Sequence, residues 1–176
     1  SSSCGSSNVI QHLGYEFTNN EDQLKRQIDI AGICFLLAPL FHPAMKNIAP
    51  IRKEMGVKTF FNMLGPLVNP SCPKNQLVGV FNLEIARLYS YLYQTSGKQY
   101  VIIHTLDGYD EISLTGDFKM INNDGEFLLT PEDLGLNKLK LNDLYGGSTI
   151  AEAAAVFVKI LKGQGTDAQI EVVAAN

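Results

Sequence analysis

The sequence predicts an α/β fold, a mostly parallel central sheet flanked by helices, and three observations predict it. Residues 75–81 (NQLVGVF) and 99–108 (QYVIIHTLDG) are apolar stretches of strand length. Between them, 83–97 (LEIARLYSYLYQTSG) sets Leu83, Ala86, Leu88 and Leu92 at helical spacing and stops at Gly97. Strand, amphipathic helix and strand in that order argue for parallel pairing, with ligands at the carboxyl ends of the strands. Residues 112–131 (ISLTGDFKMINNDGEFLLTP) then alternate as antiparallel strands joined at Asn123, Asp124 and Gly125.

Composition narrows the class. A chain of 176 residues suffices for one domain, burying roughly 70% of its unfolded surface. It is 45% hydrophobic and 18% charged, with a mean hydropathy of +0.02, and no apolar run reaches the roughly 20 residues of a membrane helix. A net charge of −4 supplies no broad field for a polyanion, which disfavours nucleic-acid binding. Cys4, Cys34 and Cys72 are odd in number and far apart, the pattern of free thiols in a reducing cytoplasm rather than of zinc or disulfides. Neither a signal peptide nor a transit peptide is visible.

Taken in order, 1–9 (SSSCGSSNV) is a run of small hydroxyl residues opening a helix that Gly14 stops. Such a terminus is either a flexible polar end capped by Ser6 or Ser7, or a phosphate seat of hydroxyls and unpaired backbone amides. Asn19 or Asn20 caps the next helix, with Glu21 and Asp22 in its first turn and Leu24 and Ile28 on its apolar face. The apolar run 31–41 (AGICFLLAPLF) reads as a short buried strand that Pro39 ends. His42 stands at a loop-to-helix junction, and His12 and His104 read as a helix-surface and a packed residue. Residues 42–56 (HPAMKNIAPIRKEMG) suggest a kinked helix or a helix pair, followed by a Gly-Pro turn at Gly65 and Pro66.

Arg52 sits among apolar and small residues. It belongs either to a basic surface face with Lys46, Lys53 and Lys58 or to an anion site, because an unpaired, desolvated guanidinium is costly. Asp107, Asp110 and Glu111 follow the second strand, as a solvated acidic turn or as oxygen donors for a hard cation. Thr130 to Asp133 open a turn or short helix, Gly146 and Gly147 punctuate a loop, and two helices, the first ending at Gly163, close the chain.

Four segments in this order resemble one known family. Residues 41–70 (FHPAMKNIAPIRKEMGVKTFFNMLGPLVNP) resemble the signature of the anthranilate phosphoribosyltransferases, 1–15 their serine-rich phosphate loop, and 107–116 (DGYDEISLTG) their acidic metal motif. Residues 144–176 resemble their closing segment. The resemblance implies a nucleoside phosphorylase/phosphoribosyltransferase class II-like domain over 1–176, with 42–64 forming helices that pack with a small N-terminal helical domain. It implies transfer of the phosphoribosyl group of phosphoribosyl pyrophosphate (PRPP) to anthranilate in tryptophan biosynthesis. Arg52 then binds the anthranilate carboxylate, Ser1, Ser2, Ser3 and Ser6 bind PRPP, and Asp110 and Glu111 hold Mg²⁺. No general base is assigned. Cys4 replaces a common serine and Tyr109 a usual leucine.

The same resemblance implies a cytoplasmic homodimer as parent and a chain truncated at both ends that lacks a glycine-rich turn, with an inactive fragment as a competing reading. Arg52 and the acidic pair are expected to face one cleft from opposite sides. Relatives of the same fold, a pyrimidine-nucleoside phosphorylase or a nucleic-acid binder without the chemistry, are the alternatives; Arg52 with 65–70 (GPLVNP) and the acidic pI near 5.3 favour the transferase.

Overall fold

The computed structural model describes residues 5–42 and 64–176. The chain divides into two compact units, Ser1–Cys72 and Pro73–Asn176. No helix of the described residues is long and apolar enough to cross a membrane.

In the first unit, α1 (Ser6–His12) ends before Gly14, whose φ of 91° supplies the expected stop. His12 lies on the surface. Helix α2 (Glu21–Ala31) starts at Asn20, whose side chain accepts the Gln23 N–H at 3.0 Å, and stops at Gly32 with φ 71°. Of its expected apolar face Leu24 is buried, but Ile28 is half exposed. Tyr15 ties the unit together. Its hydroxyl donates to Gln27 Oε1 at 2.7 Å and accepts the Phe35 N–H at 3.4 Å, while its ring meets Phe17 and Phe35 edge to face at 5.2 and 5.1 Å.

The strand expected over 31–41 does not form. Residues 33–37 have no strand pairing and lead into α3 (Ala38–Phe41), a single turn with Pro39 in its first positions. Proline fits there because its fixed φ suits a helix start and its missing N–H would be unpaired anyway. An apolar run without period specifies burial, not the ladder that makes a strand. Gly65–Val68 is a 3₁₀ turn with Pro66 at its start, as the Gly-Pro pair suggests. The ring Nε2 of His42 meets the carbonyl of Val68 at 2.7 Å, so this histidine braces a turn.

In the second unit, β1 (Asn75–Gly79), α4 (Leu83–Gln94) and β2 (Gln99–Thr105) form the expected crossover, with β1 and β2 parallel and Gly79 opposite Ile103. Asn82 caps α4 by accepting the Ile85 N–H at 2.9 Å. The helix turns Ile85, Ala86, Tyr89 and Tyr93 inward at spacings of three and four, and β2 answers with Tyr100, Ile102 and Ile103. Tyr93 and Tyr100 stack at 5.4 Å.

Strands β3 (Phe118–Asn122) and β4 (Gly125–Leu129) complete the sheet in the order β1-β2-β3-β4. The α/β class is the expected one. Among the described residues, however, the sheet is mixed: one pairing is parallel, and β2–β3 and β3–β4 are antiparallel. For β3–β4 the reason is local. A two-residue turn at Asn123 and Asp124 can only reverse the chain. Asn122 Oδ1 accepts the N–H groups of Asp124 and Gly125, and Asn123 clasps the start of β2 through the Tyr100 N–H and the Lys98 carbonyl, both at 2.9 Å.

A core of Ile103, Ile112, Leu114 and Phe118 lies at the far end of β2, packed against Val101, Met120, Leu129, Leu136, Leu139, Val172 and Ala175. The last two belong to the chain's final segment, after α5 (Ile150–Leu161) and on α6 (Asp167–Ala174) with its immediate exit. Gly163, with φ 68°, ends α5 as expected.

Candidate active site

The acidic loop leaves the carboxyl end of β2, where Thr105 is completely buried. Its N–H donates to Tyr109 O at 3.0 Å, and its carbonyl accepts the Gly108 N–H at 2.9 Å. Its hydroxyl donates to Glu111 O at 2.5 Å and accepts the Ser113 N–H at 3.4 Å. One residue thus binds four loop positions, and the Leu106 N–H adds a bond to Asp117 O at 2.9 Å. A buried threonine at a strand end satisfies its own polar groups while dictating the path of the chain beyond.

The three acidic residues part company here. Asp107 accepts the Thr115 hydroxyl, and that oxygen lies 2.7 Å from Ser113 Oγ; Asp107 is therefore a strut of the loop. Asp110 and Glu111 are exposed, and among the described residues their carboxylates have no hydrogen bond or ion pair. Two adjacent unpartnered carboxylates repel each other and attract a cation. Hard oxygen donors that leave most coordination positions open fit Mg²⁺, which usually takes one or two carboxylates and fills its shell with waters and substrate phosphates. No group of three or more potential ligands occurs among the described residues.

Although the carboxylates have no partner among the described residues, the backbone beneath them is fixed. The carbonyl oxygen of Asp110 lies against Gly79 at the end of β1, where a Cβ would stand 1.6 Å from it. Beyond Glu111, the N–H and carbonyl of Ile112 are both bound by the side chain of Asn176, at 2.8 and 3.0 Å. Buried His104 directs Nδ1 to the carbonyl of Val80 at 2.8 Å, which makes it the packed residue its position suggests. A hollow lined by Asp107, Gly108, Tyr109, Thr115, Leu139 and Leu141 opens beside the loop.

Ser6 begins α1 with its side chain exposed. Ser1, Ser2, Ser3 and Arg52 lie outside the described residues, as does most of 42–64, so the expectation that Arg52 and the acidic pair share a cleft falls outside them too. Reading the sequence missed Gly79, Thr105 and Asn176. Gly79 had a signal: a lone glycine inside a strand marks a close backbone approach. Thr105 and Asn176 had none.

Residues 1–176 match the family model described as glycosyl transferase family, a/b domain. An anthranilate phosphoribosyltransferase of Flavobacterium psychrophilum is 65% identical over 176 residues, all of this chain and 53% of the relative. The crystal structure of anthranilate phosphoribosyltransferase from Thermus thermophilus superposes with a TM-score of 0.86 at 34% identity, covering 97% of this chain and 51% of that one. The Saccharomyces cerevisiae enzyme superposes in two complexes. With 4-fluoroanthranilate the TM-score is 0.82 at 27% identity, covering 96% of this chain and 50% of that one. With PRPP and Mg it is 0.71 at 25% identity, covering 97% and 55%. The chain spans about half the length of the curated relatives it matches.

Proposed function

This chain belongs to the glycosyl transferase family, whose a/b domain it matches throughout, and on that premise we propose that the protein transfers the phosphoribosyl group of PRPP to anthranilate in tryptophan biosynthesis. The observation that carries the reading is the pair of exposed carboxylates, Asp110 and Glu111, without a partner among the described residues, on a loop fixed to the carboxyl end of a sheet strand. It occurs in a chain whose relatives bear the name of that activity.

The residues divide the work by chemistry. Asp110 and Glu111 are the residues that would hold Mg²⁺, which would supply positive charge to balance the negative charge of a departing pyrophosphate. Ser1, Ser2, Ser3 and Ser6 offer hydroxyl and backbone donors to PRPP. Arg52 pairs with the carboxylate of anthranilate, and its planar fork orients the aromatic ring so that the amine faces the sugar. The amine nitrogen bonds to the anomeric carbon as the bond from that carbon to the pyrophosphate oxygen breaks, and the amine then loses a proton. Positioning and electrostatics supply most of the rate, and no side chain is assigned as general base. On this reading the parent enzyme is a cytoplasmic homodimer.

The test is the loss of anthranilate fluorescence in the presence of PRPP and Mg²⁺, with the mass of the sample checked alongside. Consumption that depends on both additions is expected, with Arg52→Ala raising KM for anthranilate at least about tenfold. An unchanged KM removes Arg52 from the substrate site. Absence of consumption by the intact protein, with phosphorolysis of pyrimidine nucleosides in its place, overturns the reading.

A further inference from the structure

Among the described residues, Asp110 and Glu111 are positioned through the backbone, since neither carboxylate has a partner there. Three side chains or atoms hold that backbone. Gly79 receives the carbonyl of Asp110, Thr105 binds the carbonyl of Glu111 at 2.5 Å, and Asn176 takes both backbone groups of the next residue. The third contact differs in kind from the others. Asn176 Oδ1 accepts the Ile112 N–H at 2.8 Å, and Nδ2 donates to Ile112 O at 3.0 Å and to Val172 O at 2.8 Å.

A side-chain amide that pairs both groups of one residue acts as a neighbouring strand would, fixing the peptide planes on either side. The plane on the amino side of Ile112 contains the carbonyl of Glu111, which Thr105 already holds. The direction in which the Glu111 side chain leaves the loop is therefore set from both sides. Ile112 itself is buried in the core with Leu114 and Phe118, while Asn176 is exposed, so the clamp ties a core residue to a surface side chain.

We propose that Asn176 is a positioning residue for the metal carboxylates: its amide, held by the end of α6, aims Glu111 and Asp110 at the ion. The proposal rests on the reading of this loop as the Mg²⁺ site. Asparagine is the side chain the geometry requires, since it alone offers a short acceptor and donor on one plane; aspartate keeps the acceptor and loses the donor, and alanine loses both.

The experiment uses the intact protein and compares Asn176→Ala, Asn176→Asp and Val172→Ala. Mn²⁺ binding is followed by electron paramagnetic resonance, and the Mg²⁺ activation constant and the KM for anthranilate by the fluorescence assay. Both Asn176 variants are expected to weaken Mn²⁺ binding and raise the Mg²⁺ constant by about tenfold, with KM for anthranilate within about twofold. Val172→Ala, which loosens the packing of α6 and leaves the amide in place, is expected to lower the melting temperature without moving either metal constant. Metal constants unchanged in Asn176→Asp, or changed equally by Val172→Ala, overturn the proposal and leave Asn176 a packing residue. Should Asn176→Ala not fold, Asn176→Asp decides. An unsubstituted protein that consumes no anthranilate refutes the functional reading instead, and the Mn²⁺ comparison then still decides the role of Asn176.

Discussion

The α-carbon of Gly79 touches the carbonyl oxygen of Asp110 so closely that a methyl group on it would lie 1.6 Å from that oxygen and 2.8 Å from the carbonyl carbon. No real Cβ sits so near a backbone atom. The end of β1 and the acidic loop therefore fit together only because one of them has no side chain.

Replacing Gly79 with alanine should displace the loop, or β1, or both. The expected cost is about 1–3 kcal/mol, the range for forcing a methyl into a packed site, together with weaker Mn²⁺ binding. Gly146→Ala is the control, because nothing lies within 4 Å of its would-be Cβ and no positive φ is involved; it should change stability by less than about 0.5 kcal/mol. Urea unfolding and metal titration of the two variants make the check. A Gly79→Ala protein as stable and as metal-competent as its parent would show that the loop is held elsewhere.

The three acidic residues of the loop should separate by phenotype. Asp110→Asn and Glu111→Gln alter exposed groups without a partner among the described residues, so each should leave stability within about 0.5 kcal/mol while lowering Mg²⁺ affinity at least about tenfold. Asp107→Asn changes the group that receives the Thr115 hydroxyl. It should cost about 1 kcal/mol of stability and affect the metal less. The opposite ranking, with Asp107 dominant in metal binding, would reassign the ligands.

Alkali should destabilise the second unit through α4. Burial pushes the Tyr89 hydroxyl up to about 12, helped by neighbouring Tyr93, and burial raises Tyr93 as well. A raised folded-state pKa means that the unfolded chain releases its proton first, from about pH 10. Stability is then complete below that value and falls as pH rises toward 12, by at most about 2–3 kcal/mol for Tyr89. Urea midpoints across this range, with phenolate absorbance, should show the decline, and Tyr89→Phe should flatten it. A slope untouched by Tyr89→Phe assigns the alkaline loss to other groups.

Which parts of this architecture were legible in the sequence follows from how local their causes are. The β1–α4–β2 crossover announced itself through apolar strands around an amphipathic helix, and the hairpin through Asn123, Asp124 and Gly125, because spacing and turn chemistry are local properties. Helix ends at Gly14, Gly97 and Gly163 were visible for the same reason. The run 31–41 misled because burial without period does not say whether a partner strand exists. Asp110 and Glu111 could be chosen by composition and by resemblance, yet their separation from Asp107 depends on the Thr115 hydroxyl eight residues away. Asn176 was invisible, since nothing in the sequence around it points to a peptide 64 residues earlier.

That reach of 64 residues makes two distant events one. Closing so long a segment has an entropic cost that the docking of α6 offsets, so the Ile112 peptide grips Asn176 only while α6 is seated. By reciprocity, any ligand captured by the neighbouring carboxylates must also favour the docked position of α6. Occupancy at one end of β2 and the docking of α6 rise and fall together.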